Sequence, residues 1–161
     1  MIQVRRAVVG DAAEIVRLRG VMLGSTDGVE PEPGPWQDAA RRTLRERLAE
    51  PQDAMGVFVV DKPDRPGELA ACAVGTIDRR LGGPTNPTGL TGYVYNVVTE
   101  AGYRRRGYSR ACLEALLGWF AARGVRKIDL RASAEGEPLY RLLGFVATSG
   151  PTMRLTLPPA D

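Results

Sequence analysis

Apolar and polar positions alternate along Ile2-Gln3-Val4-Arg5-Arg6-Ala7, the period of a half-buried strand. Asp11, with Glu14 three residues on, reads as an N-cap and capping box. Ile15, Leu18, Val21 and Met22 then recur at helical spacing, predicting a first helix from about Ala12 to Leu23. The stretch 24–35, with its glycines and prolines, is expected to be a loop. Trp36 to Ala49 follows as a second helix, with Ala40, Leu44 and Leu48 on one face and Pro51 ending it. Val57 to Val60 and Leu69 to Ile77 are predicted strands joined through Pro63, Asp64, Pro66 and Gly67. Leu81 to Gly92 is a second Gly/Pro-rich loop, leading into the strand Tyr93 to Thr99.

Tyr108 to Arg123 is apolar around most of its girth, with a narrow polar stripe at Arg110 and Glu114. That pattern belongs to a helix packed on a sheet. Gly124 caps it, and Ile128, Leu130 and Ala132 mark a fifth strand on alternate positions. A short helix from about Glu137 to Leu143 stops at Gly144, with Phe145 to Ala147 and Met153 to Leu157 as closing strands. The order β-α-α-β-β-β-α-β-α-β-β, without a repeat or linker, predicts one mixed α/β (α+β) domain over 1–161.

Composition narrows the chemistry. The chain has no histidine, which removes imidazole bases and most zinc sites, and no metal is expected. Cys72 and Cys112 sit in apolar contexts and read as buried, reduced thiols. The longest apolar runs, such as Leu69 to Val74, fall far short of the roughly 18 residues of a membrane span. With no apolar core near the N-terminus, a cytoplasmic location is expected and no membrane partner. Among 22 basic residues only Lys62 and Lys127 are lysines, a bias that makes abundant arginine weak evidence for nucleic acid.

The chemistry concentrates in Arg104-Arg105-Arg106-Gly107-Tyr108-Ser109-Arg110, between an apolar strand and an apolar helix. A helix N-terminus offers unpaired amides and the positive end of its dipole, so it binds anions. Gly107 admits close approach of a phosphate, Ser109 is small, and four arginines supply charge. By spacing alone the turn reads equally well as a solvated basic loop.

The stretch Asn96 to Ala111 resembles the Q/R-x-x-G-x-G/A signature of the GNAT superfamily of N-acetyltransferases, found between the fourth strand and third helix. Leu139-Tyr140-Arg141-Leu142-Leu143-Gly144-Phe145 resembles the family's L-Y-x-x-L-G-F segment. The element order agrees over nearly the whole chain. This resemblance implies a mostly antiparallel mixed sheet splayed between strands 4 and 5, with about four helices. It implies acetyl-CoA as co-substrate, an amine acceptor and no covalent enzyme intermediate. Val97, Val98 and Thr99 would pair with the pantetheine arm, and the amides of Arg105 to Arg110 would hold the pyrophosphate, with Arg104 beside them. Tyr140 would be the general acid for the leaving thiolate. Homodimers are frequent in the family, so a homodimer is carried as an option.

Two departures stand out. Ser109 replaces Gly or Ala, and the asparagine usual after the fifth strand is missing, leaving Ser133 as a candidate for part of its role. The family's fourth-strand Glu is also absent, where Tyr93, Tyr95 and Asn96 stand. Candidates for the base are therefore waters ordered by these groups, Asp129 on the fifth strand, or Asp27, Glu30 and Glu32 in the loop after the first helix. Two other functions stay open. One is an acyl-CoA sensor or catalytically silent module. The other is nucleic-acid binding through Arg104 to Arg106, weakened by a net charge of only +3 and aromatic neighbours limited to Tyr103 and Tyr108.

Overall fold

A computed structural model describes residues 1–50 and 54–160. Chain contacts group into two units, Met1–Arg131 and Ala132–Asp161, which are taken in turn. The first holds a five-stranded sheet in the order β1-β2-β3-β4-β5. Its strands are β1 (Arg5–Arg6), β2 (Met55–Asp61), β3 (Leu69–Arg79), β4 (Leu90–Thr99) and β5 (Lys127–Leu130). Neighbours run antiparallel except β4 and β5, which are parallel. The helices of this unit are α1 (Ala12–Asp27), α2 (Pro35–Ala49) and α3 (Tyr108–Ala122).

Strand β3 is buried on both faces from Leu69 to Gly75, which is why its sequence runs apolar without alternation. On one face Ile15, Val16 and Leu18 of α1 and Leu44 of α2 pack with Met55, Val57, Val59, Cys72, Val74 and Val98. On the other, α3 lies so close that the sheet gives up side chains to admit it. A Cβ at Gly75 would stand 2.7 Å from Leu116 Cδ1 and Phe120 Cζ. One at Gly92 would meet Phe120 at 2.7 Å, and one at Gly56 would meet the Trp119 ring at 2.8 Å. These glycines, on β2, β3 and β4, form a trough for the two aromatics of α3. Burial pushes the thiols of Cys72 and Cys112 up, the latter to about 12, which leaves both as unreactive core residues.

Several sequence-based boundaries shift. The first strand shrinks to Arg5–Arg6, and α1 runs past Gly24 to Asp27 before Gly28 ends it at φ 84°. Ser25 and Thr26 are helical, and their hydroxyls donate to the carbonyls of Val21 and Met22, at 3.2 and 3.1 Å, instead of competing for a cap or turn. Asp11 occupies the N-cap position without bonding a helix amide. Its carboxylate instead takes the Arg5 guanidinium at 2.8 and 2.9 Å and the Val8 amide at 2.8 Å. Strand β4 begins at Leu90, inside the expected loop. Pro51, expected to end α2, lies outside the described residues.

The second unit contains α4 (Glu137–Leu142). Phe145 to Ala147 and Met153 to Leu157, expected as closing strands, form no strand, and Val146, Met153, Leu155 and Leu157 are exposed. Alternation names a face for a segment but not a partner, and among the described residues none pairs with them. No helix among the described residues is long and apolar enough to cross a membrane.

Gly75→Ala is expected to lower stability by about 1–3 kcal/mol through overpacking against Phe120. Gly75→Ala with Phe120→Leu should recover part of that loss. Urea unfolding checks both, and an unchanged midpoint for the single variant would contradict the trough.

Candidate functional site

Strand β4 is irregular where the chemistry is expected. Cys72 of β3 pairs with Val98 and Val74 pairs with Tyr95, so Asn96 and Val97 together oppose Ala73. This bulge puts Asn96 at φ 51°, a conformation that asparagine tolerates better than most residues. Its buried side chain is held on both ends. The amide nitrogen reaches Cys72 Sγ at 3.5 Å, and Oδ1 accepts from Arg19 Nη1 of α1 at 3.2 Å. On the opposite edge β5 pairs with Thr91 to Val94 only. From Tyr95 to Thr99 that edge of β4 has no strand partner among the described residues, because β5 ends at Leu130.

Beyond Thr99 a short 3₁₀ turn, Ala101–Tyr103, leads into the arginine turn. Arg105 (φ 63°) and Gly107 (φ 82°) are both left-handed. The first amide of α3 with a described acceptor is that of Ala111, which donates to Gly107 O at 3.0 Å. Among the described residues none accepts from the amides of Arg105 to Arg110. Thr99 Oγ1 and Ser109 Oγ share a hydrogen bond of 2.5 Å, tying the strand end to the first turn of α3. Ser109 thus serves the loop in a way Gly or Ala could not.

The arginines point different ways. Arg104 Nε turns back to Thr99 O at 3.2 Å, Arg106 stacks over Tyr103, and Arg110 pairs with Glu114 at 2.9 Å. Arg110 is neutralised by Glu114 one turn along α3, so the charge at the turn itself comes from its other arginines and from the helix N-terminus.

A charged network lies beneath. Glu14 of α1 accepts the Leu69 amide at 2.8 Å and is bonded by Arg17, which also reaches Leu69 O at 3.1 Å and Glu100. Lys62, its side chain 3% exposed, completes it with Glu100 at 2.7 Å and Glu68 at 2.5 Å. Burial pushes both Glu14 and Glu100 up, but the cations outweigh it. Arg17 and the Leu69 amide draw Glu14 below the usual carboxylate range, and Lys62 and Arg17 do so for Glu100.

The remaining candidates separate. Asp129 is exposed on β5 opposite Tyr93, whose ring lies 6.2 Å from that of Tyr95. Asp27 is the last residue of α1 and not part of the loop. Glu30 and Glu32 line a cavity of about 720 Å³ with Arg17, Gly20, Trp36 and Arg41. In the second unit, Tyr140 packs edge-to-face on Phe145 at 6.0 Å, and burial holds its phenol above the ordinary value. Such a phenol stays protonated at neutral pH, as a donor must. The Ser133 hydroxyl is spent on the turn before α4, accepting from the Gly136 amide at 3.1 Å.

Comparison with known proteins decides the family. The chain matches the Acetyltransferase (GNAT) family over residues 26–145. It belongs to that family. A predicted acetyltransferase from Clostridium acetobutylicum, solved with acetyl-CoA, is 26% identical with a TM-score of 0.80, covering 97% of this chain and 96% of its own. A GCN5-related N-acetyltransferase from Ralstonia eutropha shares the fold at 22% identity and TM-score 0.78, over 96% of this chain and 99% of that one. So does glucosamine-6-phosphate N-acetyltransferase from Arabidopsis thaliana, at 17% identity and TM-score 0.76, over 96% and 98%. No curated protein matched the sequence.

Within this GNAT chain, sequence reasoning missed the Asn96–Arg19 contact, the Thr99–Ser109 bond and the network under Glu100. An asparagine inside an apolar strand was the visible signal for the first. The Thr99–Ser109 bond lies inside the signature but depends on how the turn folds back, and the network under Glu100 joins residues too far apart to be read as a motif.

Because Glu14 and Glu100 titrate lower folded than unfolded, their stabilisation is present above about pH 4.3. It is lost as pH falls through their folded-state values. Glu100→Gln should lower the urea midpoint at pH 7 and flatten the loss of stability between pH 5 and 3. A pH profile parallel to that of the wild type would contradict the network.

Proposed function

We propose that this protein moves an acetyl group from acetyl-CoA to an amine by direct attack on the thioester. The reading is carried by the run of open amides from Arg105 to Arg110 at the head of α3, beside the unpaired edge of β4. Those amides, with Arg104 to Arg106 and Arg110, would take the diphosphate. Main-chain groups of Val97, Val98 and Thr99 would pair with the pantetheine amides, as an added strand would. The open amides and the free strand edge fit an anionic head joined to an amide-bearing arm.

In the transfer, the amine nitrogen bonds to the carbonyl carbon, the C–S bond breaks and its electron pair leaves with sulfur. Tyr140 gives that sulfur a proton and recovers one from solvent. The nitrogen loses its proton to ordered water or to a carboxylate, with Asp129 on β5 and Glu30 or Glu32 at the cavity as candidates. Binding both substrates in one site supplies most of the acceleration, by orientation and by polarising the carbonyl.

A second reading is a GNAT module that binds an acyl-CoA without turnover. It is favoured by the absence of any carboxylate on β4 (Leu90–Thr99).

Calorimetric titration is expected to show acetyl-CoA and CoA binding at sub-millimolar concentration, with ATP much weaker. No acetyl-CoA binding would overturn the proposal. With an acceptor drawn from an amine panel, Tyr140→Phe should lower kcat by roughly 10²-fold. An unchanged kcat would remove Tyr140 from the mechanism, and tight CoA binding without turnover across the panel would favour the silent module.

A further inference from the structure

Tyr103 is the one buried side chain in a run of exposed residues from Ala101 to Gly107, at 8% exposure. It stands outside the apolar cluster formed with α1 and α2. Its hydroxyl donates to Asp64 Oδ1 at 2.5 Å, crossing to the turn between β2 and β3. Its ring carries two cations, Lys62 Nζ at 5.4 Å and Arg106 Cζ at 5.0 Å from the centroid. Lys62 is in turn fixed by Glu100, the first residue after β4, and by Glu68. The backbone bonds of the turn are Tyr103 N to Glu100 O at 2.9 Å and Arg104 N to Ala101 O at 3.4 Å; Arg104 also donates to Thr99 O at 3.2 Å and Ser25 Oγ at 3.4 Å, and Arg106 to Gly102 O at 3.4 Å.

The stretch 105–107, with two left-handed residues, would sample more shapes without an anchor on its own side of the turn. A ligand would then have to order it on binding, at a cost in affinity. A loop of bare core packing would need only a phenylalanine at this position. The phenol bonded to Asp64, with cations on the ring, joins the turn to a separate hairpin and sets where Arg106 lies.

We propose that Tyr103 is a positioning residue for the diphosphate turn, its bond to Asp64 and its stacking on Arg106 holding residues 104–107 in their ligand-binding shape. This rests on the acetyl-CoA reading above. Tyr103 touches neither acetyl group nor acceptor, so it acts on affinity for the CoA moiety and not on chemistry.

The test is a double-mutant cycle read by calorimetry with CoA as the probe, on the full chain. Tyr103→Phe keeps the ring and removes the bond, and Asp64→Ala removes it from the other side. Each is expected to weaken CoA binding by roughly 5- to 30-fold, since only part of what a hydrogen bond to a charged group contributes is transmitted to the ligand. The double variant should be little worse than either single one, since both remove one interaction. Asp64→Asn, which keeps an acceptor oxygen, should restore most of the affinity. Circular dichroism and urea unfolding confirm that each variant is folded at the titration temperature. If both folded single variants bind CoA as the wild type does, or their losses simply add, the positioning role is overturned. A wild type that binds no CoA would instead overturn the acetyl-CoA reading itself, so the two failures are distinct.

Discussion

At Asn96, β4 carries one residue more than β3 can pair, and the rest of the candidate site depends on how that excess is held. The bulge bends β4 beyond Val94, where β5 has ended at Leu130, and the main-chain edge from Tyr95 to Thr99 is left without a strand partner among the described residues. A left-handed asparagine in a buried strand needs its polar groups met. Cys72 and Arg19 meet them, which links the bulge to α1 and to the middle of the sheet. The trough of Gly56, Gly75 and Gly92 lets α3 lie flat on the other face, and so aims its N-terminus at the end of the same strand.

Electrostatics then fixes the strand end. Glu100 is the first residue after β4 and meets two cations from two other elements, Arg17 of α1 and Lys62 beyond β2. The Arg17 side chain also bonds Leu69 O while Glu14 takes the Leu69 amide, so the start of β3 is held in the same network. A partly buried set of this kind adds little net stability once desolvation is counted. Its consequence is geometric, since one arrangement satisfies all its members. The arginine turn leaves from this fixed point with its amides open and its shape set by Tyr103 and Thr99.

Local pattern carried most of the fold. The girdle of apolar residues in α3, the unbroken run of β3 and the cap at Gly124 were all legible because each reports on its own neighbourhood. So was the place of the turn of Arg104 to Gly107, directly before α3. Reading failed where the answer lay in partners. Gly24 looked like a helix end, yet Ser25 and Thr26 satisfy themselves on the preceding turn and α1 continues. Asp11 looked like a cap, yet Arg5 and Val8 claim its carboxylate. Phe145 to Ala147 and Met153 to Leu157 alternate like strands, but no described strand offers them a ladder. The Tyr103–Asp64 bond spans 39 residues and leaves no trace in spacing.

In the proposed function the head of α3 and the unpaired edge of β4 together hold the CoA moiety. Backbone amide NMR with stepwise addition of CoA tests it residue by residue. The amides of Arg105 to Arg110 are expected to shift most and gain protection from exchange, with a second set of changes at Val97 to Thr99. Saturable binding that leaves those amides unmoved while shifting others would contradict it.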